Sequence, residues 1–304
     1  MKINKTMFKA GIVASISMAV IVTACSKNSS SGSSSGTGSS DAASLSTSSE
    51  TTDNAYNDAF NVVMQTGNKT SNGSVTVESV GGNISNDGTG SSNILGTCAT
   101  ITVSPADSNT FPKTITVDFG TGCTSLAGFT RKGSITYILS GHLLYPGTTV
   151  SATFNGYSVN GYQIAGTYSI TNNSTQNGLA FTTSVTGGQI IFPDSLSSTY
   201  TYSGTKTITQ TQGFGTPTLL DDVYNITGHH SFASSASGKS LVNTIATPLV
   251  IEGSCIHIVS GIIDFVYTDG NNSLTGTFDY GAGTCDNLAT IKVGYFTKSV
   301  TLPW

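Results

Sequence analysis

The feature that most narrows the fold is an alternation of apolar and polar residues, with period two, that begins near Ser74 and continues to the carboxyl end. Ile101 and Val103 alternate with Thr100 and Thr102, Ile115, Val117 and Phe119 with Thr114 and Thr116, and Ile291, Val293 and Tyr295 with Lys292. Successive side chains of a β-strand point to opposite faces, so the pattern predicts strands with one buried and one wet face. Similar runs at 134–140, 149–159, 163–171, 179–185, 199–209, 223–232, 239–247 and 256–267 bring the expected total to roughly a dozen strands. The links between them are short and rich in Gly, Asn, Asp and Pro, which leaves no room for crossover helices. The expected fold is therefore all-β. Residues 67–304 should form a single domain, a large, mainly antiparallel meander that is either a partial barrel or a two-layer sandwich.

Before this domain the spacing predicts one short helix over 49–66, with Tyr56, Phe60 and Val63 on one face. Thr47-x-x-Glu50 reads as a capping box and Gly67 as a stop. From Ser26 to about Ser46 the chain is nearly all Ser, Gly, Thr, Asn and Ala. That composition has too little apolar surface to offset ordering entropy, so 25–48 is expected to be a disordered tether led by Cys25.

The amino terminus has the form of an export signal over residues 1–24. Lys2, Lys5 and Lys9 precede an uncharged apolar run from Ala10 to Val22, and Val22-Thr23-Ala24-Cys25 follows at once. The last four residues match a bacterial lipobox, in which the cysteine is diacylated and becomes the first residue after cleavage. Two acyl chains give the stable membrane anchoring that one does not, so the expected partner is the membrane, through a lipid anchor on Cys25. Neutral Ser26 points to the outer membrane, with the periplasmic or surface side left open. An outer-membrane barrel also alternates and often ends in an aromatic, as Trp304 does, but Pro303 interrupts the last strand and aromatic girdles are absent.

Only 9% of residues are charged. Loss of the three signal lysines leaves nine Lys and Arg against sixteen Asp and Glu, a net charge near −7, so nucleic acid is not an expected partner. Lipidation of Cys25 leaves four of the five cysteines, an even number that reads as two disulfides in an oxidising compartment. Hairpin geometry favours Cys98 with Cys123 and Cys255 with Cys285, the second closed through a turn at Asp269-Gly270-Asn271-Asn272. Both cysteine hairpins share the string Asp-aromatic-Gly-x-Gly, at Asp118 to Gly122 and Asp279 to Gly283, which reads as a recurring turn. No C-x-x-C or H-x-x-x-H spacing occurs, so neither a metal nor another cofactor is expected.

These strings and several others resemble a family of lipoproteins from Bacteroidota-type bacteria that has no assigned activity. The matching stretches are Phe111 to Gly120, Arg131-Lys132-Gly133, Asp222-Val223-Tyr224 with Ile226-Thr227-Gly228, Ile258 to Gly261, and Asp279-Tyr280-Gly281 with Cys285-Asp286-Asn287. The resemblance spans about Gly96 to the carboxyl end and implies one β domain in the cell envelope. It also implies that Asp194-Ser195-Leu196, which fits an O-glycosylation acceptor motif of such bacteria, carries sugar on Ser195.

Catalytic signatures are weak. The G-x-S-x-G string Gly32 to Gly36 falls in the tether, without the strand-turn-helix setting of a nucleophile elbow. Ser203-Gly204-Thr205-Lys206 is an S-x-x-K string inside a strand pattern that lacks its partner motifs. His142, His229, His230 and His257 are expected on the surface or in turns, with His229 and His230 on opposite faces of one strand. Asp221-Asp222 could approach His229 only through the fold, and Glu50, Glu78 and Glu252 are the chain's three glutamates. No catalytic residue is assigned. The expected function is a non-catalytic envelope lipoprotein, structural or binding a glycan or protein. The alternatives are a carrier of an apolar ligand in a curved sheet and an unrecognised hydrolase. A closed apolar cavity would mark the carrier, and a cleft joining His and Asp would mark the hydrolase.

Overall fold

The computed structural model describes residues 35–72, 95 and 98–303, apart from 108, 126 and 217–219. The signal segment, Cys25, the tether up to residue 34, Glu78 and Trp304 lie outside the described residues. The strands are β1 (Thr100–Ser104), β2 (Lys113–Asp118), β3 (Cys123–Thr124), β4 (Thr130–Leu139), β5 (Thr149–Val159), β6 (Tyr162–Asn172) and β7 (Ala180–Ile191). They continue as β8 (Thr199–Gln212), β9 (Val223–Ser234), β10 (Ser240–Glu252), β11 (Ile258–Asp269), β12 (Asn272–Ala282), β13 (Leu288–Val293) and β14 (Phe296–Thr301).

All fourteen belong to one sheet, which decides between the two expected arrangements. It is a meander: apart from β3, a spur on β4, every strand pairs antiparallel with its neighbours in sequence. Among the described residues the sheet is not closed, and β1 and β14 stand at its two ends. Local chemistry explains the meander. Asn160-Gly161 links β5 to β6 with φ of 49° and 89°, the positive values that a two-residue hairpin turn requires. Bulges shift the register within the pairs β4–β5, β5–β6, β6–β7, β7–β8 and β10–β11, and bulges bend long strands and increase their twist.

Among the described residues the curled sheet holds a single helix, α1 (Ser35–Asn72), against its inner face. From Leu45 to Gly67 no residue of α1 is exposed, and its neighbours run from β4 through β14. The helix is longer at both ends than the expected 49–66 and takes in much of the expected tether. The reason is visible in its hydroxyls. Thr47, Thr51, Thr52 and Thr66 each donate to the carbonyl four residues earlier, at 3.0, 2.9, 2.8 and 2.7 Å, so a Ser- and Thr-rich helix meets its own polar needs when buried. Small side chains such as Ala42, Ala43, Ser46 and Ser49 also let it pass close to the sheet. Thr47 is thus not a cap, and Glu50 turns inward. Gly67 does not stop the helix either. It sits where an added Cβ would lie 3.0 Å from Leu143, a close approach that suits glycine.

Aromatic and branched residues of the inner face, including Ile115, Tyr137, Phe181, Phe232 and Phe265, complete the core around α1. The expected strand register at Ile291 and Val293 holds, but Tyr295 belongs to the Gly294-Tyr295 turn before β14 and is fully exposed. Cys98–Cys123 and Cys255–Cys285 stand at disulfide distance, with S–S of 2.02 and 2.05 Å. In both cysteine hairpins the aspartate accepts from the backbone two residues on, Asp118 from Gly120 at 2.8 Å and Asp279 from Gly281 at 2.9 Å, which is the recurring turn.

Candidate functional site

The chemistry-bearing residues converge where α1 meets the inner face. Three carboxylates within nine residues of the helix, Glu50, Asp53 and Asp58, are all buried. Each meets one basic side chain and one tyrosine from the sheet. Asp58 takes the Arg131 guanidinium of β4 in two hydrogen bonds, 2.9 Å from Nε and 2.5 Å from Nη2, and the Tyr157 hydroxyl of β5 donates to it at 2.5 Å. Asp53 pairs with Lys206 of β8 and accepts from the Tyr202 hydroxyl at 2.7 Å. Glu50 faces His230 Nε2 of β9 at 3.2 Å and accepts from the Tyr280 hydroxyl at 2.9 Å.

Burial alone would push the Asp53 carboxyl upward, but the charges of Lys206 and His230, with hydrogen bonds from Lys206 and Tyr202, hold it below the ordinary carboxylate range. Burial, and then the adjacent carboxylate charge, raise Tyr157, Tyr202 and Tyr280 well above the usual phenol value, which keeps them as hydrogen-bond donors. Burial raises Tyr56 as well. Its hydroxyl donates to Ala165 O at 2.7 Å and to Gln189 O at 3.3 Å, carbonyls beside the bulges of β6 and β7.

Glycine makes room for this seam. Gly204 lies opposite His230 in the β8–β9 register, and a Cβ there would come within 2.6 Å of the histidine's own Cβ. His230 is fully buried, which corrects the expectation of a surface or turn histidine. The opposite-face reading of the pair holds, since His229 points to the exposed side.

Ser49, His230 and Glu50 have the residue types of a hydrolytic triad but not its geometry. Ser49 Oγ, at 3.0 Å, and Glu50 Oε1, at 3.2 Å, both face the same ring nitrogen, Nε2. A relay needs the acid on one nitrogen and the nucleophile on the other. Ser49 also accepts from Asn243 Nδ2 at 3.1 Å, and all three triad-type residues are without solvent exposure.

The remaining sequence candidates stay apart. Ser203 faces outward and Lys206 inward, so S-x-x-K forms no dyad. Asp222 accepts from Gln210 and Tyr224, Asp221 from Thr216, and Asp222 lies seven residue steps before His229 along extended chain, roughly 23 Å. His142 packs between the rings of Phe111 and Tyr145. Burial lowers His257, against an opposing pull from Asp286. Glu252 ends β10, away from the seam. Ser195 sits in the exposed β7–β8 turn, where Asp194 Oδ1 accepts from the backbone of Leu196 and Ser198 at 3.1 and 2.9 Å.

The outer face is hydroxyl-rich. One row, Thr102, Thr116, Thr136, Thr153, Thr167 and Thr186, crosses six neighbouring strands in register. Further round, a shallow depression of about 460 Å³ lies over Gly187, Ser203, Ser231 and Val242. No family model, curated protein or solved structure matches the chain.

Proposed function

We propose that this chain is a lipid-anchored outer-membrane lipoprotein whose β domain is a non-catalytic module, structural or binding a glycan or protein partner through its outer face and loops. The observation that carries this reading is that the chain's own helix fills the concave side of the sheet. The space in which a carrier would hold an apolar ligand is taken up by α1, and the His and carboxylate groups that a hydrolase would use are spent on one another in the dry seam. What remains open to a partner is the hydroxyl-bearing outer face, where an extended polar ligand could exchange hydrogen bonds with row after row of threonine.

Two measurements test the reading. Cys25→Ser should abolish metabolic labelling with fatty acid and release the protein from the membrane fraction; a labelled, membrane-retained variant would remove the anchor. Thr136→Arg with Thr153→Arg should weaken retention on immobilised envelope polysaccharide at least tenfold while Ser49→Ala leaves it unchanged. Hydrolysis of that polysaccharide by the wild-type chain, lost in Ser49→Ala, would replace the module with an enzyme.

A further inference from the structure

Of the three helix carboxylates, Asp58 is matched by a guanidinium, Glu50 by an imidazole and Asp53 by a primary amine, and only the amine can condense with its partner. Lys206 and Asp53 are both buried, with side chains 7% and 3% exposed. An ammonium carries three N–H donors, yet among the described residues Lys206 Nζ meets no acceptor besides the Asp53 carboxylate. A buried, singly partnered ion pair is costly, and replacing it by a neutral link removes both charges from the interior.

The surroundings supply what amide formation needs. Tyr202 donates to Asp53 Oδ1 at 2.7 Å, leaving Oδ2 on the side of the amine. Tyr56 stacks on Tyr202 with ring centroids 5.0 Å apart and Tyr168 lies beyond it, so the pair sits among aromatic rings rather than water. Glu50 stands one helical turn before Asp53, and its His230 partner lies diagonal to Lys206 across β8 and β9.

We propose that Asp53 and Lys206 become joined by an intramolecular isopeptide bond that welds α1 to β8. The ion pair is the resting form of these two groups; the reacting form is its neutral tautomer, reached when a proton shifts from the ammonium to Asp53 Oδ2 and gives a free amine and a carboxylic acid. The amine lone pair attacks Cγ, and Tyr202 steadies the negative charge that gathers on Oδ1. Glu50 takes the second amine proton and delivers it to the Oδ2 hydroxyl, which leaves as water. The C–N bond forms, the C–Oδ2 bond breaks, Oδ1 remains as the amide carbonyl, and no oxidant or metal is consumed. Glu50 touches the reacting atoms only through these protons.

Peptide mapping of the full chain, purified from an exporting host and then reduced, tests this. The expected result is one branched peptide carrying both Asp53 and Lys206, lighter than its two linear parts by the mass of one water. Lys206 should then resist amine-reactive labelling in denaturant. Separate linear peptides, with Lys206 labelled as readily as Lys239, overturn the proposal. Glu50→Gln should give a folded chain, checked by circular dichroism, that stays uncross-linked; if the branched peptide still forms at the wild-type yield, the proton-transfer role of Glu50 is wrong. Lys206→Arg controls for the mass change but is not required, because the wild-type digest alone decides whether the bond exists.

Discussion

At the residue scale, the molecule depends on a few charges placed where charge is expensive. Asp58 and Arg131 form the clearest pair, and a planar guanidinium bound at two points suits a carboxylate that must stay ionic. Removing one partner leaves the other charge buried, a loss of about 3–5 kcal/mol for such pairs. Asp58→Ala should therefore lower the urea midpoint sharply, whereas Asp58→Leu combined with Arg131→Met should recover much of the loss. Equal midpoints for wild type and Asp58→Ala would show that the seam carries no such weight. The sequence held a signal for this arrangement. Lys206 falls in the same strand phase as Tyr202 and Ile208, and His230 in the phase of Ile226 and Phe232, so both side chains had to point inward. An inward cation in so lightly charged a chain calls for a buried anion, and the helix offers three carboxylates within nine residues. Which carboxylate meets which cation was not legible, because the pairs join positions 73 to 180 residues apart.

At the element scale, the strands were readable and the helix only partly so. Alternation located β5 at its observed bounds and placed the β11–β12 turn at Asp269 to Asn272, because backbone period and turn chemistry are local properties. The helix broke the same logic. Its amino-terminal half has the composition of a linker, and it becomes ordered only because the sheet encloses it and its threonines bond back to their own backbone. The two cysteine hairpins were legible for the opposite reason, since each closes within its own segment, at separations of 25 and 30 residues. The chain-entropy account assigns roughly 3 to 4 kcal/mol to closures of that size. Replacing either pair by serines should lower the unfolding midpoint by a corresponding amount. Unchanged midpoints for both double variants would separate these bonds from stability.

At the scale of the whole molecule, the tyrosines give the fold a ceiling in pH. Tyr56, Tyr137, Tyr157, Tyr168, Tyr202 and Tyr280 lie on α1, β4, β5, β6, β8 and β12, and burial raises every one. A group whose folded value lies above its unfolded value stabilises the fold fully below the unfolded value. That stability is lost as pH climbs past it, here from about 10 upward. Stability in urea should stay level to about pH 10 and then fall steeply. Tyrosinate absorbance should appear together with the loss of secondary structure. Tyrosines that titrate near their ordinary value while the fold persists would contradict the buried placement. The one-sheet architecture, by contrast, could not be chosen from the sequence: alternation reports which side of a strand is dry, and the inner face of a curled sheet and the inner layer of a sandwich are equally dry.

The placement of α1 also bears on the order of events during synthesis. The helix is made first, yet Tyr280, a partner of Glu50, is made 230 residues later. Until then α1 has no enclosure. A helix of leucines waiting that long would be sticky and a hazard to its neighbours. One whose amino-terminal half is mostly serine, threonine and alanine, with its larger apolar residues gathered mainly between Tyr56 and Met64, can keep much of its length hydrated in the nascent chain and give up that water only when the last strands arrive. Its composition suits the wait as well as the final fit.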